Sequence, residues 1–257
     1  MPVTLPPAIA QFIDGATLKR ETRGESPCQV HRFRKGTDVF FLKSSAAVYA
    51  PTTYSVQREA AVLRWLSGQL KVPDVVVSAE TDDAEYIVTR AVPGRPLSAL
   101  KSGQHASLML QEALRQVQAV PIGRCPFDSR VAPRLQELDY LMARGLIDEE
   151  CDLQQWPGLA TPADLRALLQ ATMPAEDLVF SHGDLGDSNV FLDGTDDLWF
   201  IDVGRGGVAD RWLDIAFVHR ELRESISVRS AALFLQHLGR PDEPAQRRFY
   251  EQLDELF

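Results

Sequence analysis

A polar segment with two glycines, set between apolar runs, constrains the fold of this chain more than any other feature. Residues 181–189 read Ser-His-Gly-Asp-Leu-Gly-Asp-Ser-Asn, and apolar runs precede and follow them. Another apolar run, residues 198–201, leads directly into an Asp-Val-Gly turn at Asp202. The pattern predicts a loop, a short β-hairpin and a second turn, with Asp184, Asn189 and Asp202 placed on the loops.

Two aspartates and an asparagine in this order are typical of a kinase active site. There, the first Asp receives the proton of the attacking hydroxyl group, and the Asn and second Asp hold the Mg²⁺ that bridges the nucleotide phosphates. Mg²⁺ is a hard cation that prefers oxygen ligands, which both residue types provide. A lone Asp in a turn is as readily a turn or cap residue. The ordered set of Asp184, Asn189 and Asp202 favours phosphoryl transfer.

Composition and charge narrow the classes of partner and compartment. The chain has 257 residues, enough for one two-lobed enzyme or two small domains, and 45% of them are hydrophobic. Its net charge of −9 disfavours nucleic acid and anionic membranes as partners, and permits a polycationic ligand. There are three cysteines without CxxC spacing, which indicates a reducing compartment. No run approaches the ~18 apolar residues of a membrane span, and residues 1–13 lack a signal-peptide pattern. We therefore expect a cytoplasmic protein.

Residues 1–92 have the pattern of a nucleotide-binding lobe. A strand at residues 39–43 ends in Lys43, and a helix with apolar spacing follows from about residue 53 and carries Glu59. In kinases, a Lys at this place holds the α- and β-phosphates and pairs with a Glu on the next helix. A lone Lys or Glu is usually a solvated surface charge, but the downstream loop favours a Lys43–Glu59 ion pair.

Two irregular segments of this lobe are candidates for contact with a nucleotide. The loop at residues 22–28 either folds over phosphates, through backbone N–H groups or the Ser26 hydroxyl, or is an ordinary hairpin loop. Two prolines and a glycine within residues 90–96 interrupt regular structure. We place the hinge between the lobes there, with adenine against the backbone of Arg90 and Val92.

Residues 93–257 have the pattern of a mainly helical lobe. Apolar periodicity predicts helices at about residues 105–120, 131–144, 162–169 and 244–257. Asp214 lies inside an apolar run, where an unpaired carboxylate is costly. We expect it to accept hydrogen bonds from the backbone of the catalytic loop. The acidic run at residues 148–152 is either a solvated loop or part of a site for a cationic ligand.

The sequence resembles the aminoglycoside 3′-phosphotransferases, antibiotic-resistance kinases with a protein-kinase-like fold. The resemblance runs almost end to end. The segments that carry it are residues 52–59, 135–141, 181–189, 200–205 and 253–257. Many small-molecule kinases share the His-Gly-Asp-x4-Asn element, whereas Asp187, Arg205 and the terminal Asp-Glu-Leu-Phe are typical of the 3′ group.

The resemblance implies a role for each candidate site residue. The implied catalytic residues are Asp184, Lys43, Glu59 and Arg205, and the implied Mg²⁺ ligands are Asn189 and Asp202. The implied contacts of the nucleotide, ATP or alternatively GTP, are Ser26, Phe41, Lys43, Arg90, Val92 and Ile201, with the Phe41 ring stacked on adenine. The implied contacts of the aminoglycoside are Asp187, Arg220, Glu224, Asp254, Glu255 and Phe257. Carboxylates suit a ligand that carries several ammonium groups.

We thus expect an α+β enzyme with a small antiparallel-sheet lobe, residues 1–92, and a mainly helical lobe, residues 93–257. The expected reaction transfers the γ-phosphoryl group of ATP or GTP to the 3′-hydroxyl of aminoglycosides such as kanamycin and neomycin. This reaction is expected to give antibiotic resistance. We expect the protein to be a monomer or alternatively a dimer. Two alternatives stay open: a related kinase whose acceptor is streptomycin, a sugar or choline, and a non-catalytic nucleotide-binding relative. Ser225, where some relatives carry a second acid, leaves the drug range open.

Overall fold

The computed structural model describes residues 5–22, 26–147, 153 and 155–257. The centre of the phosphate loop expected at residues 22–28 and the acidic run at 148–152 lie outside the described residues. The helices of the described part are α1 (Pro7–Ile13), α2 (Val56–Leu66), α3 (Gly103–Gln118), α4 (Val131–Ala143), α5 (Pro162–Ala171), α6 (Trp212–Glu221), α7 (Val228–His237) and α8 (Pro244–Asp254). Its strands are β1 (Lys19–Glu21), β2 (Gln29–Lys35), β3 (Asp38–Ala46), β4 (Val75–Glu80), β5 (Ala84–Arg90), β6 (Arg95–Pro96), β7 (Leu178–Ser181), β8 (Val190–Leu192), β9 (Leu198–Phe200) and β10 (Gly207–Asp210).

The chain divides into two compact units. The first consists of Met1–Pro96 and Asn189–Arg205, and the second of Leu97–Ser188 and Gly206–Phe257. The first unit holds most of the strands, and the second holds most of the helices. The mixed α+β fold predicted from the sequence is therefore confirmed.

A five-stranded antiparallel sheet, in the order β1-β2-β3-β5-β4, forms the body of the first unit. Side chains alternate between the two faces of a strand. On β3, Phe40 and Leu42 are buried in a cluster with residues of α1 such as Ile9. Phe41 and Lys43 therefore point to the opposite face of the sheet.

A buried polar network fixes the start of α2 to two strands of this sheet. The Ser55 hydroxyl accepts a hydrogen bond from the Arg58 N–H at 3.1 Å and donates one to Glu85 Oε2 at 2.6 Å. Ser45 Oγ donates to the same oxygen at 3.2 Å and accepts from the Val56 N–H at 3.2 Å. Ser55 is thus the N-cap of α2. Because buried polar groups need partners, this network sets the position of the helix on β3 and β5.

The hairpin of β8 and β9 also belongs to the first unit, where β8 pairs with β6. Gly94, just before β6, has φ of +85°, and a Cβ atom there would lie 2.2 Å from the backbone oxygen of Leu192. Only glycine tolerates both the left-handed backbone and this close approach. The hairpin is therefore packed closely against residues 94–96, where the first of the two chain segments of this unit ends.

The second unit is built around a helix that is buried on every side. Residues 212–219 of α6 are all buried, and α6 packs against α8 and α3. Thr161 and Asp164 form a capping box at the start of α5, where Pro162 occupies the first turn as the sequence predicted. The predicted helices at α3, α4, α5 and α8 are confirmed, although α8 ends at Asp254. None of the helices in the described ranges is long and apolar enough to cross a bilayer.

Candidate active site

Lys43 forms ion pairs with two carboxylates of the first unit. Its Nζ atom lies 2.8 Å from Glu59 Oε2 on α2 and 3.0 Å from Asp202 Oδ1. The Lys43–Glu59 pair expected from the sequence is thus present. Burial works to lower the pKa of Lys43, but the charges of Asp202 and Glu59 outweigh it and hold that pKa well above its ordinary value. Lys43 therefore stays positively charged at neutral pH, as binding of a phosphate group requires.

Asp202 and Asn189 are brought together by the β8–β9 hairpin. Val190 pairs with Phe200, and the Ile201 N–H donates a hydrogen bond to the Asn189 carbonyl at 3.0 Å. Both candidate Mg²⁺ ligands therefore lie at one end of the hairpin. Asp202 has φ of +55°, a left-handed conformation that is strained for a non-glycine residue and is often found at functional sites.

This pair of ligands suits Mg²⁺ in kind and in number. Mg²⁺ is commonly bound by one or two carboxylate-type side chains together with substrate phosphates. No cluster of three or more His, Cys, Asp or Glu side chains in the described part of the chain could hold a metal ion by itself. The two side chains thus fit a metal whose remaining ligands are phosphate oxygens and water.

The turn after Asp202 packs against the start of α2. A Cβ atom at Gly204 would lie 3.1 Å from the Thr53 carbonyl oxygen and 3.5 Å from Glu59 Cβ. Arg58 donates a hydrogen bond to the Gly204 carbonyl. Arg205 lies over the Tyr54 ring at 5.5 Å and its Nη2 is 3.3 Å from the Tyr54 hydroxyl. The turn and the helix that carries Glu59 are therefore positioned as one group.

The remaining candidates for nucleotide contact lie in the same unit. Phe41 is two residues before Lys43 on β3 and shares its face of the sheet. The Arg90 N–H donates to the Asp74 carbonyl at 3.0 Å, and the Arg90 side chain pairs with Asp38 at 2.6 Å. The backbone group that Arg90 can offer to adenine is thus its carbonyl oxygen. Ser26 is exposed, Val92 is partly buried, and Ile201 directly precedes Asp202.

The catalytic loop belongs to the second unit and is fixed by a buried carboxylate. Asp214 of α6 is 0% exposed. Its two oxygens accept hydrogen bonds from the N–H groups of His182 at 2.8 Å and Gly183 at 3.0 Å. The predicted role of Asp214 as a backbone acceptor is confirmed. Gly183 has φ of +81°, which places the partly buried Asp184 directly after a left-handed turn.

Asp187, further along this loop, has a perturbed acidity. Burial, followed by the charge of Glu221, raises the pKa of Asp187 to about 6. Glu221 ends α6, and its Oε2 atom lies 3.5 Å from the position that a Cβ atom of Gly186 would take. Glu221 is a site candidate that the sequence reasoning missed. The sequence offered one indication: Glu221 directly follows the candidate Arg220, in the helix that begins with the apolar run around Asp214.

The other candidates for aminoglycoside contact are already engaged in pairs. Arg220 Nη2 lies 2.5 Å from Asp254 Oδ2. Glu224 pairs with Arg223 at 2.9 Å, and Glu255 accepts a hydrogen bond from Gln155 at 2.7 Å. The Phe257 ring lies 5.6 Å from the guanidinium group of the buried Arg134, which fixes the end of the chain. Any cation that binds here competes with Arg220, Arg223 or Gln155 for these carboxylates.

Similarity to known proteins agrees with the chemistry of the candidate nucleotide-binding and aminoglycoside-binding residues. A profile described as "Phosphotransferase enzyme family" matches residues 28–250. An aminoglycoside 3′-phosphotransferase from Acinetobacter baumannii is 40% identical over 257 residues, which cover 98% of this chain and 99% of the relative. The chain belongs to the aminoglycoside 3′-phosphotransferase family. It is an enzyme of the kinase class.

A solved structure supports the same assignment, and a second shares the fold. The crystal structure of an aminoglycoside-3′-phosphotransferase of type VIII superposes with a TM-score of 0.84 at 34% identity and covers 97% of both chains. An aminoglycoside phosphotransferase from Streptomyces rimosus, solved in complex with ADP and streptomycin, has a TM-score of 0.75 at 24% identity and covers 98% of both chains. The second likeness shows a shared fold alone.

Proposed function

We propose that the chain transfers the γ-phosphoryl group of ATP to the 3′-hydroxyl of aminoglycosides such as kanamycin and neomycin, and so confers resistance to them. The observation that carries the reaction type is Lys43, held between Glu59 and Asp202 at 2.8 and 3.0 Å. This is the arrangement in which kinases bind the phosphates and Mg²⁺. The choice of acceptor rests on the name of the 40% identical relative.

The residues of the first unit bind and orient the donor in this proposal. Lys43 contacts the α- and β-phosphates and is aligned by Glu59. Asn189 and Asp202 would hold Mg²⁺, which neutralises charge on the phosphate oxygens when it is bound. Phe41 stacks on adenine, and the Arg90 carbonyl accepts a hydrogen bond from its amino group. The ADP-bound relative of the same fold supports a nucleoside triphosphate as donor. We propose ATP, rather than GTP, as the donor of this chain.

The residues of the second unit orient the acceptor. Asp184 accepts the proton of the 3′-hydroxyl while that oxygen forms a bond to the γ-phosphorus. The bond between this phosphorus and the β–γ bridging oxygen breaks, and ADP leaves. Asp187 and the carboxylates of Glu224, Asp254 and Glu255 bind the ammonium groups through charge-assisted hydrogen bonds. Arg220 holds Asp254 in place until a ligand cation replaces it.

We place the reaction in the cytoplasm, because ATP, Mg²⁺ and the drug's ribosomal target are there. Two of the cysteines, Cys28 and Cys125, are free thiols in the described residues, in keeping with a reducing compartment. We expect a monomer to be active, and nucleic acid and membranes to have no part in the reaction.

A matched pair of substrates tests the proposal. Kanamycin has a 3′-hydroxyl and tobramycin lacks it, so ADP release from purified protein with Mg·ATP should follow kanamycin and be absent with tobramycin. Neomycin should also be turned over. Comparable turnover of tobramycin would contradict 3′ transfer, and turnover of streptomycin alone would move the acceptor to another class. ADP release with no drug present is the background to subtract.

A further inference from the structure

The second unit contains a cavity that the proposed reaction does not use. Its volume is about 670 Å³, and it is bounded by α3, the first turn of α6 and the end of α7. None of its lining residues belongs to the candidate catalytic, nucleotide or aminoglycoside sets. Pockets that bind small molecules typically have volumes of ~300–1,000 Å³. The cavity is thus large enough for a ligand of its own.

The charged residues that line this cavity are mostly basic. Arg211 Nε and Arg240 Nη2 lie 2.5 and 3.1 Å from the same oxygen of Asp177. Two guanidinium groups therefore share a single carboxylate. Among the described residues that line the cavity, the acid is Glu112, which is bound by Arg115 at 2.6 Å. The chain as a whole has a net charge of −9, so this is a local exception.

The cavity also has apolar lining residues that a ligand can reach. Leu108 of α3 lines it and is 54% exposed, although it is a large hydrophobic residue, and Leu238 is partly buried. Ile215 and Phe234 also line the cavity but are each 1% exposed. An accessible apolar surface beside two arginines that share one carboxylate matches a ligand with an apolar body and an anionic end. A polycationic aminoglycoside would be repelled by the same arginines.

We propose that this cavity is an effector site for a small amphiphilic anion, with a short apolar body and one carboxylate or phosphate group. The anionic group pairs with Arg240 and Arg211, which line the cavity and share one carboxylate, Asp177. The apolar body covers Leu108 and Leu238. The ligand therefore uses the charge and the exposed apolar surface together.

The cavity is linked to the catalytic loop by a single turn of helix. Arg211 caps the start of α6, and Ile215 lies in its first turn. Between them in sequence, Asp214 accepts the hydrogen bonds of His182 and Gly183 that fix the loop before Asp184. An occupant that binds Arg211 restrains this turn. We therefore expect occupancy to reduce opening of the catalytic loop.

Calorimetric titration with matched probes tests the site. Octanoate and octyl phosphate have the required body and charge, octan-1-ol lacks the charge, octylamine reverses it, and acetate lacks the body. The two anions with a body should bind, and the other three should bind at least about tenfold more weakly. Whichever anion binds tighter identifies the preferred head group. Failure of both anions to bind, or equal binding of octan-1-ol, would overturn the proposal.

Variants locate the binding to the cavity. Arg240→Gln should weaken octanoate binding about tenfold or more, because it removes one of the two guanidinium groups while Arg211 still pairs with Asp177. Leu108→Asp should weaken it by repulsion at an exposed position that tolerates a polar side chain. Arg229→Gln, an exposed arginine of α7 outside the cavity, is the control and should bind as the wild type does. Wild-type affinity in Arg240→Gln and Leu108→Asp would overturn the location.

Hydrogen exchange tests the link to the catalytic loop. With saturating octanoate, peptides covering residues 181–186 should exchange more slowly in the wild type, and the effect should be absent in Arg240→Gln. Melting temperatures of the variants, compared with that of the wild type, establish that they are folded. Octanoate binding without any change in these peptides would overturn the effector role. Since binding and exchange are measured without substrate, neither result depends on which acceptor the enzyme uses.

Discussion

At the scale of single residues, the charge of Lys43 is the feature on which the proposed donor binding depends. A buried lysine without a partner loses its proton readily, because burial disfavours the charged form. Here two carboxylates, Asp202 and Glu59, raise its pKa well above the ordinary value against that penalty. The lysine is thereby kept charged and fixed in direction. Asp202 has a further role as a candidate Mg²⁺ ligand, which leaves Glu59 as the partner dedicated to Lys43.

Replacing Glu59 by Gln should therefore impair use of ATP. The neutral amide holds Lys43 more weakly, and the lysine shifts towards Asp202. We expect kcat/KM for ATP to fall about tenfold, or ~1.4 kcal/mol of transition-state stabilisation. Steady-state kinetics with ATP varied at saturating kanamycin measure this. Glu80→Gln, at an exposed position of β4, is the matched control. Equal kinetics in the two variants would count against the role of Glu59.

Asp187 should make drug binding depend on pH. Burial, followed by the Glu221 charge, raises its pKa to about 6. The carboxylate is thus neutral below that pH and ionised above it. Because the ionised form attracts ammonium groups, kcat/KM for kanamycin should rise as the pH is raised through about 6. Asp187→Asn should remove this step, and Glu221→Gln should move it to lower pH by removing a like charge. An unchanged profile in both variants would contradict the assignment.

The same carboxyl group has an opposite effect on stability. Its pKa in the folded state is above the unfolded value, so its contribution is fully present below the unfolded pKa and is lost as the pH rises through about 6. Burial of the ionised Asp187 therefore lowers the stability of the free enzyme at neutral pH. A carboxylate that we propose to bind the substrate is thus retained at a cost in stability.

Sequence patterns identified the residues whose roles depend on local spacing. Asp184, Asn189 and Asp202 fall on one loop, one hairpin and one turn, so their order alone indicated the chemistry. Glu221 could not be found this way, because its effect on Asp187 depends on how the end of α6 packs beside the loop. Glu59 is charged and yet only 6% exposed, since its charge is balanced by Lys43.

At the scale of elements, the contact between α2 and the turn at Val203–Arg205 positions the donor-binding residues. A Cβ atom at Gly204 would lie 3.1 Å from the Thr53 carbonyl oxygen, so a side chain there requires the segment just before α2 to move. The network of Ser55, Ser45 and Glu85 prevents α2 from moving independently of the sheet. Displacement at this contact should thus be transmitted to the Lys43–Glu59 pair.

Gly204→Ala should weaken ATP binding for this reason. Its Cβ would lie 3.1 Å from the Thr53 oxygen, so α2 must shift by a few tenths of an ångström. We expect KM for ATP to rise several-fold, with a destabilisation of about 1–3 kcal/mol from overpacking. Gly194→Ala in the same unit, where a Cβ meets nothing within 4 Å, is the control. Denaturant melts and ATP kinetics on both variants measure the difference, and matching results for the two would refute the contact's role.

Elements with a clean apolar period were predictable, and those without one were not. The pattern of α3 places Leu110, Ala113 and Val117 on one buried face, which the sequence shows directly. In α7, by contrast, Val228 is 72% exposed and Leu233 41% exposed, so apolar residues occur on both faces and the period is blurred. Strand β1 has three residues and is defined by backbone pairing with β2. Such pairing depends on the partner strand rather than on the residues of β1.

At the scale of the whole molecule, the candidate site residues divide between the two compact units. Lys43, Glu59, Asn189 and Asp202 belong to the first, and Asp184 belongs to the second. Asn189 follows Asp184 by five positions, so the division passes through the catalytic motif itself. The sequence indicated a boundary near residue 92, whereas it offered no sign that residues 189–205 pack with the first unit. That assignment depends on long-range contacts, such as the Phe200 N–H to the Lys71 carbonyl at 2.8 Å.

This division implies that donor binding and phosphoryl transfer can be separated by one substitution. Asp184→Asn keeps the size of the side chain and removes its ability to accept the proton, while it leaves the donor-binding residues of the first unit unchanged. Asp196→Asn is the control, since Asp196 is in a surface turn with φ of +62°, a conformation that Asn tolerates.

Calorimetric titration of Mg·ATP, paired with single-turnover transfer to kanamycin, is the most direct test of this account. In Asp184→Asn, the affinity for Mg·ATP should stay within about twofold of the wild type, and the transfer rate should fall by a factor of ~10² or more. Asp196→Asn should match the wild type in both. Transfer at an appreciable fraction of the wild-type rate in Asp184→Asn would show that Asp184 is not the proton acceptor, and loss of Mg·ATP binding would place it among the donor-binding residues instead.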